Sequence, residues 1–427
     1  MEEVEIPQYF LCPISLQIMK DPVTTVTGIT YDRESIEMWL CTAEEEAAVA
    51  MCPVTKQHLP KDTELLTPNH MLRRLIQAWC TVNAEKGVDR IPTPKYPMDK
   101  SNILRLIRQV NNNNNSNSNN DQQLCVDALR KMDDLVSENE KNRKCMEEVG
   151  AIKAIIGFII RCYKYGNLLI PGLEEAVRIF HSIWNPTHEN KNHVKDNHDL
   201  VQATLWILKN EAKDICHKIV IIKTHAMMIL KNVIEVSSSN LLSRLDPGFF
   251  QEIVHTLRKN SRNYISQQAT KAALQVLIGA CPWGRNKLKI IETGAIFELI
   301  ELELTNPEKR VSELVFCLLA NLCVLADGRA KFLEHAAGIA LVTKRTLRIS
   351  ATIDDNAIQI FGFICKFSAT KEVLLEMLRV GAVSKICMVM QADCEVYLKK
   401  KAREILRAHS HVWSNSPCIQ IYLLTRQ

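Results

Sequence analysis

From Ser101 to about Trp413, apolar residues recur at the three- to four-residue spacing of amphipathic helices, and no alternating, strand-like run interrupts them. Residues 7–79 read differently. Val23 to Tyr31 is rich in β-branched residues around Thr27-Gly28, which predicts a hairpin. Ile36, Trp39 and Leu40 share one helical face behind Asp32, and Leu72, Leu75, Ile76 and Trp79 share another behind Asn69. A short polar side chain at each start can accept from the free N–H groups of the first turn. Two helices, a hairpin and two long loops make a small α+β module, one that needs a polar network or a neighbour to stay folded.

Residues 86–100 carry Gly87, Pro92, Pro94 and Pro97 without periodicity, the composition of a semi-stiff linker. The expected division is therefore a module over 1–80, a linker over 81–100, helices over 101–413 and a tail over 414–427. Asn111 to Asn120 is an uncharged Asn/Ser run that cannot bury a core, so a flexible loop is expected over 111–120. Inside the helical region a unit recurs. Lys144 to Ile152 resembles Lys289 to Ile296, then Phe332 to Ala337 and Leu375 to Val383. The small residue at Gly294, Ala336 and Gly381 steps by about 42 and then 45 residues, within the range of armadillo or HEAT arrays. Apolar helices such as Ala269 to Cys281, Glu313 to Leu325 and Ala357 to Phe367 precede these units. Leu398 to Leu406 reads as a last, capping helix whose lysines face solvent. Stacked units of this kind bury one continuous core and leave a long binding surface rather than a catalytic pocket.

Composition narrows the classes. At 427 residues the chain exceeds one compact core, and its hydrophobic content of 47% is that of a folded protein. No apolar run approaches the roughly 20 residues of a membrane span, and Met1-Glu2-Glu3-Val4-Glu5 lacks a signal-peptide core. A cytoplasmic or nuclear location is expected. The 15 cysteines form no framework and fall mostly in apolar helical patterns, as Cys317 and Cys323 do. None stands beside a His and an Asp as a nucleophile would. Residues 1–80 hold 6 Lys and Arg against 12 Asp and Glu, leaving 47 against 36 for the rest. That asymmetry is either ordinary solvated surface or a means of steering a basic partner to the module and an acidic one to the helices. The helices lack the aromatic and arginine series of a nucleic-acid-binding groove.

The candidate chemistry sits in two loops, Cys12-Pro13-Ile14-Ser15 and Cys52-Pro53-Val54-Thr55. Each looks like a zinc knuckle that has kept its first ligand and lost its second. A cross-braced zinc site needs four ligands per ion, and the slots available are Cys12/Ser15, Thr30/Asp32, Ser35/Met38 and Cys52/Thr55, with only two thiols. No metal and no cofactor is expected. His58 and His70 lack thiol partners at zinc spacing and are expected at the surface or at a helix start. Cys12, Ser15, Asp32, Glu37, Cys52 and Thr55 are instead candidates for a polar network holding the loops where metal bonds would have been. Ile14, Leu16 and Pro53 are apolar residues beside tight turns, to be read either as core or as an exposed cluster.

These residues carry a resemblance. Ile6 to Ser15, Met19-Lys20-Asp21-Pro22-Val23, Thr27 to Arg33, Cys52 to Thr55 and Leu66 to Arg73 are similar, in order and spacing, to the U-box ubiquitin ligases. With the proline linker and helical repeats, nearly the whole chain resembles the plant U-box/armadillo ligases. The resemblance implies a small α+β U-box, a zinc-free relative of the RING fold, followed by an all-α armadillo-type superhelical array. It implies an activity without a nucleophile: the module docks a ubiquitin-conjugating enzyme already charged with ubiquitin and holds the thioester for attack by a lysine of a protein substrate bound by the repeats. No covalent intermediate forms on the ligase itself, and the gain is positional and electrostatic. Ile14, Leu16 and Pro53 would contact the conjugating enzyme. Lys56 matches a position where many such ligases place an arginine that bridges enzyme and ubiquitin, although an ammonium lacks the guanidinium fork. A role in stress or defence signalling is implied, with room for self-association. The competing reading is a non-catalytic armadillo adaptor or scaffold, which would need a degraded docking face, whereas Ile14 and Pro53 are present.

Overall fold

A computed structural model describes residues 6–42, 49–60, 66–83, 100–111, 119–166, 171–210, 217–260, 266–414, 416–417 and 419–420. Most of the expected linker, the centre of the Asn/Ser run and the end of the expected tail lie outside the described residues. The chain divides into two compact units, Met1–Pro97 and Met98–Gln427.

In the first unit, strands β1 (Pro22–Thr24) and β2 (Thr30–Asp32) pair antiparallel with Val23 opposite Tyr31. Gly28 lies in the turn between them at φ 80°, a left-handed shape that a residue without Cβ adopts at little cost. Helix α1 (Arg33–Thr42) follows, then the antiparallel pair β3 (Val49–Met51) and β4 (His58–Pro60). Strand β5 (Thr67–Pro68) returns to the free edge of β1, and helix α2 (His70–Val82) closes the unit. The Asn69 side chain accepts from Leu72 N–H at 3.1 Å and caps α2 as its type predicts.

Two expectations change here. Asp32 does not cap α1; its carboxylate turns across to the opposite loop, as described below. The apolar face of α2 is narrower than the spacing implies. Ile76 and Cys80 are buried and Leu72 and Trp79 pack at the core margin, but Leu75 is 53% exposed. A sheet of three short strands covers only one strip of a helix, and Leu75 lies beyond it.

In the second unit every described element is helical. The helices fall into groups of three: a short first helix, a second and a third. The third helices Asn119–Glu138, Leu173–Ile183, His217–Val236, Gln267–Ala280, Lys309–Cys323, Ala351–Phe367 and Val396–Ala408 pack each against the next. The second helices, from Lys100–Asn111 through Ala151–Tyr165 to Ala382–Gln391, form a parallel ladder beside them. One continuous apolar core runs between the ladders, from Ile103 to Trp413.

Gly150, Gly294 and Gly381 each stand at the entry of a second helix with φ of 73°, 79° and 80°. Left-handed backbone at these bends explains why glycine marks the repeat. The alanine unit differs: its helix Gly338–Arg345 is entered at Ala337 with φ −90°, so no left-handed glycine is required at 337. The glycine beside it, Gly338, answers instead to close packing, since a Cβ there would fall 2.5 Å from Phe332 O.

Buried polar side chains fasten several of the first helices to the repeat before them. Asn142 donates to Leu135 O at 3.0 Å, and Asn286 to Ala280 O at 2.9 Å and Leu242 O at 2.7 Å. Where the next repeat has Arg329, its guanidinium donates to Cys323 O and Val324 O. Farther on, Glu303 is fully buried, with Ser312 Oγ at 2.9 Å and Arg345 Nε at 2.8 Å.

Candidate functional site: two hydrogen-bonded loops

The segments Cys12–Gln17 and Cys52–Gln57 fold alike. Cys12 N–H donates to Gln17 O and Leu16 N–H to Cys12 O, both at 2.8 Å. In the second loop Cys52 N–H donates to Gln57 O at 2.8 Å and Lys56 N–H to Cys52 O at 3.0 Å. Each loop thus closes on its own cysteine, and Leu16 and Lys56 are both driven into left-handed backbone, at φ 56° and 59°. The first loop is continued by the bridge between Leu11 and Ile18, and the second is carried by β3 and β4. Trp39 of α1 braces the second loop, its Nε1 donating to Met51 O at 2.9 Å.

The side chains meet in three nodes. At the first, Asp32 N–H donates to the fully buried Cys12 Sγ at 3.3 Å. The Asp32 carboxylate accepts from Lys20 N–H at 2.7 Å and Asp21 N–H at 2.8 Å, clamping the exit of the loop. Burial alone would raise the Cys12 pKa, but N–H groups of Ser15, Asp32 and Ile14 and the Ser15 hydroxyl bring it below its ordinary value.

At the second node, Cys52 Sγ lies 3.0 Å from Tyr31 Oη and accepts from Thr27 Oγ1 at 3.5 Å and Thr55 N–H at 3.4 Å. Burial again opposes ionisation, yet the hydroxyls of Thr55, Tyr31 and Thr27 together with Thr55 N–H lower the Cys52 pKa to about 6. Burial, and then the bond to Cys52, push Tyr31 the other way, so it keeps its proton and donates it. Donors thus converge on the sulfur and favour its thiolate form. A thiolate accepts several strong hydrogen bonds where a thiol accepts only weak ones.

Glu37 belongs with neither sulfur. It pairs with Arg33 at 3.6 Å in a cluster where Arg33 Nε lies 2.7 Å from Asp21 and Arg73 lies 3.7 Å from Asp21. This third node ties α1 and α2 to the first loop. Tyr31, Thr27, Asp21, Arg33 and Arg73 were not among the residues expected in the network. Tyr31 could have been found, because the alternation along β2 sends it inward if Asp32 and Thr30 face out.

The apolar residues of the loops are unequally placed. Leu16 is 74% exposed and Val54 51%, while Pro53 is half-buried and Ile14 rests half-buried against the core. Lys56 is exposed beside them. Val54 was not singled out from the sequence, yet it projects farther than Ile14. Among the described residues no group of three or more His, Cys, Asp or Glu is placed to hold a metal ion. No described helix is long and apolar enough to cross a membrane.

A pair of cross-braced, hydrogen-bonded loops followed by a ladder of three-helix repeats defines the class. Residues 6–85 match the U-box domain, and residues 102–427 match the plant U-box protein ARM repeat region. The chain belongs to the plant U-box family with ARM repeats. Among its relatives in Arabidopsis thaliana, it is 39% identical to E3 ubiquitin-protein ligase PUB24, over 100% of this chain and 96% of that one. It is 42% identical to E3 ubiquitin-protein ligase PUB23, over 98% and 96% of the two chains. The helical fold is also shared with distant solved structures. One, from work on cadherin and β-catenin, has TM-score 0.53 at 12% identity, covering 80% of this chain and 58% of that one. An engineered protein has TM-score 0.50 at 14% identity, covering 73% and 68%.

Proposed function

We propose that this chain is a ubiquitin-protein ligase in which the U-box docks a ubiquitin-charged conjugating enzyme and the helical repeats choose the protein that is modified. The observation that carries the reading is the pair of matched loops, whose backbones are locked by their own cysteines while Leu16 and Val54 project into solvent beside Ile14 and Pro53. A rigid loop presenting apolar side chains loses little entropy on binding, as an anchor cluster requires. The ligase names of full-length relatives support the same reading. The enclosure of both loop sulfurs supports direct transfer from conjugating enzyme to substrate lysine, without a thioester on the U-box. The face made by successive third helices, with Lys271, Gln275, Cys317 and Gln359 partly open on it, is the surface for the substrate. A role in stress or defence signalling, in the cytoplasm or nucleus, belongs to the same proposal.

The test is single-turnover discharge of ubiquitin from a charged conjugating enzyme to free lysine. The full chain should accelerate discharge, and Leu16→Ala with Val54→Ala should remove most of the gain with unchanged circular dichroism. Truncating anchors of this kind costs about 1–3 kcal/mol of binding, roughly 5- to 150-fold. Ile14→Ala should lose activity too, but with some loss of stability, since Ile14 also packs on the core. An absence of acceleration by the wild-type chain across a panel of conjugating enzymes would favour a non-catalytic adaptor.

A further inference from the structure

Along one edge of the array, where each third helix turns into the next first helix, the early junctions are largely polar: Ser137-Glu138-Asn139-Glu140, Asn185-Pro186-Thr187 and Ser237-Ser238, with Trp184 partly covered and stacked on Phe180. The next three junctions each expose a large apolar residue. Trp283 is 39% exposed, Val324 43% and Phe367 56%. Core packing does not require this, since the adjoining Cys281 and Cys323 are buried and already close the repeat.

The three positions are neighbours in space. Arg329 links the last two, because it donates to Val324 O at 2.8 Å and to Ser368 Oγ at 2.9 Å while its guanidinium lies 4.9 Å from the Phe367 ring centre. The first helices Asn286–Glu292 and Ala326–Glu334 pack together, which sets the Trp283 junction beside that of Val324. Packed helices stand about 8–10 Å apart, so the apolar side chains recur at about that pitch.

The same edge is cationic. Lys366 Nζ stands 5.2 Å from the Phe367 ring centre, and Arg285, Lys287 and Lys371 flank the junctions. None of Arg285, Lys287, Lys366 and Lys371 forms an ion pair with a described residue. Only Asp327 and Glu372 offset them at these turns.

We propose that this edge is a second interaction surface, separate from the third-helix face, that takes an acidic protein segment with apolar side chains seated on Trp283, Val324 and Phe367. An amphipathic helix presents one residue in every seven at about 10.5 Å, close to this pitch, and its acidic flanks would meet the unpaired cations. An anionic bilayer fits less well, because the contact is a line rather than a disc and the same edge becomes acidic at Glu138 and Glu140.

The probe is a synthetic helical peptide of Glu and Ala with Leu at every seventh position, titrated by fluorescence anisotropy against the full-length chain. Binding should weaken about tenfold or more in the Trp283→Ser/Phe367→Ser double variant, and similarly in Arg285→Glu/Lys371→Glu. Arg285 and Lys371 are exposed, so melting of the charge variant and ubiquitin discharge to free lysine by both variants should match wild type. The apolar variant, which removes the ring under Arg329, should lose some stability without losing discharge. A peptide with Lys in place of Glu should not bind. The proposal is overturned if the acidic peptide fails to bind, or binds the double variants as tightly as wild type. It is overturned in favour of a lipid surface if the variants lose only binding to phosphatidylserine vesicles.

Discussion

Lys56 holds a backbone shape that lysine seldom takes, and so does Leu16 at the matching place in the other loop. Left-handed backbone costs an L-residue about 1–2 kcal/mol, and here it is enforced by the amide that closes each loop. Lys56→Gly should therefore keep or raise the denaturation midpoint in urea while slowing ubiquitin discharge. Lys56→Val, β-branched, should lower stability by about 1–2 kcal/mol. Lys56→Arg should discharge at least as fast as wild type, since a fork can bridge two partners; a slower Arg variant would contradict that bridging role, and an unchanged rate in Lys56→Gly would remove Lys56 from the chemistry. The Cys52 thiolate sets a second expectation. Its pKa falls from 9.0 to about 6 on folding, so the unfolded module binds more protons between those values. Its contribution to stability is complete above pH 9 and fades as pH falls through about 6. Urea titrations across that window should show stability rising with pH in wild type and a flatter profile in Cys52→Ala. The two sulfurs and Asp32 could be read from the sequence because they sit at ligand spacing. Tyr31 and Thr27 could not be ranked that way, since their part depends on a hairpin folding back over the second loop.

At the scale of elements, glycine plays two different parts in the array. Gly294 needs its left-handed turn but has open space around it; a Cβ there would meet nothing within 4 Å. Gly328 has ordinary helical backbone, yet a Cβ would fall 2.1 Å from Leu322 O. Gly294→Ala should cost about 1 kcal/mol. Gly328→Ala, which must push one helix off the end of another, should cost about 1–3 kcal/mol or more. A thermal melt of the two variants would separate them, and equal losses would contradict the packing described. Asn286→Ala should cost about 1–3 kcal/mol, because two buried carbonyls lose their donor. The glycine bends were the legible part of the repeats, since a positive φ writes itself into residue type. The short first helices were harder to see. Asn286–Glu292 and Ala326–Glu334 have only seven and nine residues, too few to repeat an apolar pattern, and a few buried side chains hold each: Asn286, Ile290 and Ile291 in one, Arg329 and Phe332 in the other. Leu75 shows the reverse error, an apolar residue on the expected stripe for which the small sheet has no room.

Among the described residues the buried apolar side chains form two clusters, one of U-box residues and one of array residues. Damage to one should leave the unfolding of the other in place: Cys52→Ala should shift the transition of the U-box and leave that of the array unmoved. A single merged transition that moves as one would show coupling that separate cores do not provide. In the array, stability resides in the continuous apolar core and in the buried groups that register its helices, such as Asn142, Asn286, Arg329 and the Glu303–Arg345 pair. The open face of the third helices contributes little to it. Residues such as Gln275 and Gln359 are therefore free to drift without a folding penalty, and a duplicated gene could acquire a new target by changing only that face. The scaffold is, in this sense, built for retargeting: natural variation should collect on the open face while the asparagines, the ion pair and the bending glycines stay fixed.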